Sequence, residues 1–130
     1  MRRIFLALVA FVLIQASCRK SSQNENGQLQ LNDCLHKRLG NENVVLCFNA
    51  LLEESRCPVF ADCIWQGYAL AKFTFKEGGR QHDVRLSTIT MQGIPSRDTT
   101  ISGYNIRLLE VLPYPGNTPE PTKVKVQITR

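Results

Sequence analysis

The chain has 130 residues, 43% hydrophobic and 21% charged, with five cysteines and a formal net charge of +5. That length holds one ordinary domain plus a short extra segment. A weak positive charge spread along the chain excludes the dense basic stripe of a nucleic-acid binder. The chain opens on Met1-Arg2-Arg3, and residues 4–14 then run without a polar side chain. As a helix that run rises about 16 Å, roughly half of a bilayer core. It is too short to span comfortably and suits the apolar core of a signal peptide, with the positive start held on the cytoplasmic side. Residues 1–17 are therefore read as a targeting element, whose removal takes away Arg2 and Arg3 and lowers the charge from +5 to +3.

Gln15-Ala16-Ser17-Cys18 follows the apolar run directly. Two small residues before a cysteine at this place resemble the lipobox of bacterial lipoproteins. In that family the cysteine thiol receives a diacylglycerol, the chain is cut before it, and the new amine is usually acylated. The resemblance makes Cys18 the first residue of the mature chain and its anchor in a lipid bilayer. The sequence departs from the pattern at Gln15, where Leu is usual. Gln15 also fits poorly with ordinary signal-peptide cleavage, which wants a small residue there. Two or three acyl chains, at about 0.8 kcal/mol per buried methylene, hold a protein stably on a membrane. No acidic residue follows Cys18 and no acidic run appears, so the default location is the periplasmic face of the outer membrane. Residues 18–28, rich in Ser, Asn and Gln, bury too little apolar surface to order themselves and read as a flexible tether.

Residues 29–130 form one small domain whose periodicity is that of strands. Residues 29–39 supply a first strand, and residues 40–43 a turn. Residues 44–52 are apolar on both faces until near their end, as in a central strand. Ala69, Ala71, Phe73 and Phe75 alternate with Leu70, Lys72, Thr74 and Lys76, giving a half-buried strand. Glu77-Gly78-Gly79-Arg80 reads as a tight turn, and residues 81–86 as the returning strand with Val84 and Leu86 inward. Residues 94–98 and 113–119 read as loops. Tyr104, Ile106 and Leu108 mark another strand, and Val124, Val126 and Ile128 the last. Six or seven short antiparallel strands without an amphipathic helix predict an all-β fold, a sandwich in preference to a small barrel.

With Cys18 set aside, Cys34, Cys47, Cys57 and Cys63 remain, and an even number in an exported chain reads first as two disulfides. Three pairings are possible. Local closure favours Cys57 with Cys63 and Cys34 with Cys47 across the turn at Gly40. A zinc site drawing on these cysteines with His36 and His82 is the rival. Its spacings are wider than the two to four residues usual inside a close ligand pair, so neither metal nor cofactor is expected. A cysteine nucleophile with His36 or His82 as base is a third reading, supported by nothing beyond the residue types. Ser55, Glu53, Glu54, Asp62 and Asp83 form no acid/base pair, because neighbouring acids on a strand point to opposite faces.

Glu54-Ser55-Arg56-Cys57-Pro58 and Cys63-Ile64-Trp65-Gln66-Gly67-Tyr68-Ala69 resemble a recurring motif of small bacterial secreted proteins and lipoproteins of unknown function. That motif reads acidic-Ser-Arg-Cys-Pro, four residues, Cys, apolar, Trp, small, Gly. A later Gly-Tyr-x-Ile-x-Leu strand and Val-x-Pro-x-Pro loop are matched by residues 103–108 and 111–115. Gln66 in place of a small residue and the extra Cys34 and Cys47 are departures. The resemblance implies a β fold and a Cys57–Cys63 bond, and no activity.

Physically the motif reads as a corner: Pro58 fixes the chain, Trp65 packs on the disulfide or the core, Gly67 lets two backbones approach, and Arg56 bonds loop carbonyls or an acid. The alternative is a recognition patch of Arg56, Trp65 and Tyr68, residue types that dominate binding hot spots. Tyr114, in the Pro-rich loop, is a second candidate surface. Burial of Arg56 and Trp65 favours the corner with the loops as the surface; their joint exposure favours the patch. The function expected is a non-enzymatic, membrane-tethered binding or structural module whose partner is a protein, a glycan or a small ligand. A thiol-dependent enzyme or redox protein, or an inhibitor of another enzyme, is the alternative.

Overall fold

The structure is a computed structural model, described here for residues 27–117 and 119–130. The expected signal peptide, Cys18 and all but the end of the expected tether lie outside the described residues. Eight strands are present: β1 (Gln28–Gln30), β2 (Cys34–Leu39), β3 (Glu42–Glu54), β4 (Ala69–Glu77), β5 (Arg80–Ser87), β6 (Asp98–Ile101), β7 (Tyr104–Leu112) and β8 (Lys123–Thr129). They form two four-stranded antiparallel sheets that pack face to face, one in the order β2-β3-β4-β5 and the other β1-β8-β7-β6. This is the expected sandwich, with one or two strands more than the sequence pattern disclosed.

The period-two patterns become the core. Val44, Leu46 and Phe48 of β3, Ala69, Ala71, Phe73 and Phe75 of β4, and Val84 and Leu86 of β5 face inward from one sheet. Tyr104, Ile106, Leu108 and Val111 of β7 meet them from the other, with Val124, Val126 and Ile128 of β8. Alternation places every second side chain on the same face, and burying that face is the main stabilising term. Phe48 and Phe73, paired in the β3–β4 register, have ring centroids 5.6 Å apart; Phe75 and Tyr104 meet across the sheets at 5.8 Å.

Four expectations need adjustment. The single strand over residues 29–39 is two strands in different sheets, because Asn32 has a positive φ of 68° and turns the chain from β1 to β2. The turn at Gly40 is tighter than four residues: Leu39 pairs with Glu42, leaving Gly40 and Asn41 at the corner. Asp98, placed in a loop from sequence, opens β6, an edge strand paired only with β7. The ordered β structure also starts slightly before Leu29, since Gln28 pairs with Lys125 and the Gly27 carbonyl accepts from the Val126 amide.

The topology sorts the connections to two poles. One pole carries the tight turns after β2, β4 and β6. The other carries the long loops: residues 55–68 between β3 and β4, 88–97 between β5 and β6, and 113–122 between β7 and β8. The chain runs along β1 from Lys125 toward Lys123, which pairs with Leu112, so it arrives from the side of the tight turns and heads toward the long loops.

Candidate functional site

The long-loop pole is built around Arg56. The residue is 8% exposed, and a guanidinium so placed must have its donors met. Nε donates to Glu54 Oε1 at 2.8 Å and Nη2 to Glu54 Oε2, a two-pronged pair of the kind that fits a planar fork to a carboxylate. Nη1 donates to the Val111 carbonyl at 2.8 Å and Nη2 also to the Pro113 carbonyl at 3.2 Å. The Tyr114 ring lies over the guanidinium carbon, 4.7 Å from centroid to Cζ. One side chain thus ties the 55–68 loop to the end of β7 and the Pro-rich loop. A shallow cleft of about 280 Å³ lies beside this tie, lined by Gln66, Gly67, Thr88, Ile89 and Tyr114 among others.

The base of the 55–68 loop is closed by backbone bonds. Ser55 N donates to the Tyr68 carbonyl and Cys57 N to the Gln66 carbonyl, each at 2.9 Å. Gly67, at φ +65°, sits so close to Ser55 that a Cβ there would lie 1.7 Å from the Ser55 carbonyl oxygen. Tyr68, half-buried, donates its hydroxyl to Glu53 Oε2 at 2.6 Å. That hydrogen bond, with lesser help from burial, raises the tyrosine's pKa. The loop is also pinned to its neighbour, since Val59 N donates to the Pro115 carbonyl at 3.1 Å.

Both disulfides expected by local closure are formed, Cys57–Cys63 and Cys34–Cys47. Cys34 and Cys47 are direct partners in the β2–β3 register. With all four sulfurs paired, none of these cysteines offers a thiol or thiolate to a metal or a substrate carbonyl. His36 is exposed on β2; His82 lies on β5, 3.4 Å from Glu77 and remote in the fold from the long-loop pole. No group of three or more His, Cys, Asp or Glu among the described residues is placed to hold a metal ion.

The four residues considered for recognition divide. Arg56, Tyr68 and Tyr114 are joined into the frame of the pole by the contacts above. Trp65 instead remains 46% exposed, and the packing expected for its ring is only partial. Beside it the structure presents side chains that sequence reasoning passed over: Phe60 at 90% exposure, Ile64 fully exposed and Val59 nearly half exposed. Loop length carried the signal. Five residues between bonded cysteines cannot turn back to reach a core, so Val59 and Phe60 must face outward; Ile64 lies just beyond Cys63 and had no such signal. Hydrophobic residues scattered singly on a surface are ordinary; here four exposed ones fall within seven consecutive residues, two inside the Cys57–Cys63 loop and two just after it. No protein-family model matches the chain, and no curated protein and no solved structure matches it either.

Proposed function

We propose that this chain is a non-enzymatic binding module of a bacterial envelope, anchored in a bilayer by acylated Cys18 and carrying its binding surface on the long-loop pole. The observation that carries the binding half is the contrast at that pole. A frame held by Arg56, the Cys57–Cys63 bond and four backbone or side-chain ties presents Phe60, Ile64 and Trp65 to solvent. Ordering a loop before a partner arrives removes much of the entropy cost of binding, which is the use of such a frame. The anchor rests on the lipobox-like residues 15–18 and the apolar run before them. The periplasmic face of the outer membrane is its default address. Pairing of all four domain cysteines weighs against the thiol-enzyme alternative.

Intact mass of the mature protein from a membrane fraction, with thiol alkylation before and after reduction, tests the reading. The expected result is a chain beginning at Cys18 with added acyl mass, and four alkylated cysteines only after reduction. A mature chain without lipid removes the anchor. Alkylation of the domain cysteines before reduction restores thiol chemistry as the leading reading.

A further inference from the structure

We infer that the tip closed by Cys57–Cys63 is a wedge that enters an apolar cleft on a partner protein, a cleft bordered by Lys or Arg side chains. This deepens the binding reading above and rests on it for the existence of a partner.

Shape comes first. Phe60 projects almost wholly into solvent from inside the loop closed by Cys57–Cys63 and Ile64 from directly after Cys63, with Val59 and Trp65 next to them in sequence and about half exposed. A convex apolar knob buries its surface against a concave apolar site, and aromatic anchors seated in pockets supply most of the energy of such interfaces. Charge comes second. Residues 57–71 contain no Lys or Arg, and Asp62 is their single charged side chain. At the loop's base the Arg56 charge is matched by Glu54, while Glu53 accepts from the Tyr68 and Ser55 hydroxyls and has no cationic partner among the described residues. Apolar segments that dip into anionic bilayers carry cations around the apolar side chains. This tip carries one acid, Asp62, and no cation, and it is complementary to a cationic rim on a protein. Position comes third. β1 brings the chain in from the pole of tight turns, so the described chain enters the domain from the side opposite the tip.

The test is photocrosslinking in the cells that make the protein. Full-length chain carries p-benzoylphenylalanine at Phe60 or Ile64, and at Lys76 on the far pole as control. The expected result is a discrete protein adduct from positions 60 and 64 and none from 76. The crosslinked protein, purified and titrated with the mature chain, then binds it. The F60D and I64D variants each weaken that affinity at least about 30-fold, the range of an interface hot spot, and D62K slows association while 0.5 M salt weakens binding of the native chain. Both exposed sites tolerate substitution without loss of fold, which circular dichroism verifies in the same samples.

Four results overturn the inference. They are the absence of a tip-specific protein adduct, an adduct that proves to be carbohydrate, binding of the tip to vesicles of anionic or zwitterionic phospholipid, and an adduct between two copies of this chain. A carbohydrate adduct leaves the binding module standing and removes only the protein cleft. Loss of the acyl mass removes the anchor without touching the wedge.

Discussion

Replacing Gly67 by alanine isolates how closely the two ends of the 55–68 loop approach. The added Cβ would stand 1.7 Å from the Ser55 carbonyl oxygen and 2.4 Å from its carbon, and the backbone already sits at φ +65°. Holding a non-glycine residue in that region costs about 1–2 kcal/mol. The steric conflict is with backbone, so it is relieved only by parting the strands, which breaks the Ser55–Tyr68 and Cys57–Gln66 bonds at about 1 kcal/mol each. The expected loss is about 3–4 kcal/mol, a substantial part of the roughly 5–15 kcal/mol of a domain. Gly79→Ala is the internal control. Its φ is +80° but nothing lies within 4 Å of the added Cβ, so it pays only the conformational term. With a urea dependence of about 1.5 kcal/mol per molar, G67A lowers the unfolding midpoint by roughly 2 M and G79A by roughly 1 M. Equal midpoints for the two variants would refute the claim that close approach, and not left-handed geometry alone, makes residue 67 a glycine.

Three further outcomes follow from the same contacts. Arg56→Lys keeps the charge but has one nitrogen in place of a fork, so it cannot serve Glu54, Val111 and Pro113 together; a destabilisation of about 2–3 kcal/mol in urea unfolding is expected, and native stability in R56K would show that the tie has no weight. Removing the Cys57–Cys63 bond frees a shorter loop than removing Cys34–Cys47, so chain entropy gives losses of about 2.4 and 3.0 kcal/mol for the paired Cys→Ser variants, a ranking that calorimetry can reverse. Glu77 has its pKa lowered first by the Ser102 hydroxyl, then by Arg80 and His82, against the opposing effect of burial. A depressed carboxylate contributes stability that is in full force above the unfolded value near 4.3 and is lost as pH falls through the folded value. The native chain therefore loses stability on acidification below about pH 4.5, and Glu77→Gln removes part of that slope; an identical pH profile for E77Q would contradict this.

The β4–β5 hairpin was legible because its two strands alternate cleanly and the two glycines between them supply the positive φ that a two-residue hairpin turn demands. β7 and β8 were legible for the same reason of alternation. β6 was not. Asp98-Thr99-Thr100-Ile101 is short, polar and partly buried at a sheet edge, so no period of two emerges from it. The break between β1 and β2 was hidden because Leu29, Leu31 and Leu35 continue an apolar rhythm through it, although Leu31 is exposed at the turn. At the candidate site, the residue types of the motif were visible but not their division of labour. An arginine and a tryptophan look equally fit for recognition until carbonyls are found around one and solvent around the other. Which carbonyls surround Arg56 depends on residues 55 and 57 positions further along the chain, beyond the reach of local pattern.

β1 pairs with only the first three residues of β8, and beyond Val126 the β8 edge has no further strand partner among the described residues. Lys37 reaches over from the other sheet and donates its ammonium to the Ile128 carbonyl at 2.9 Å. A lysine at such a place occupies an acceptor that an incoming strand would use and leaves a charge where that strand would lie. Molecules confined to a surface meet one another far more often than molecules free in solution, and sideways strand pairing is the association that a sandwich is most exposed to. The Lys37–Ile128 bond therefore makes this stretch of edge a poor template for the strand of a neighbouring copy, a protection that would matter most for domains crowded together by the proposed anchor.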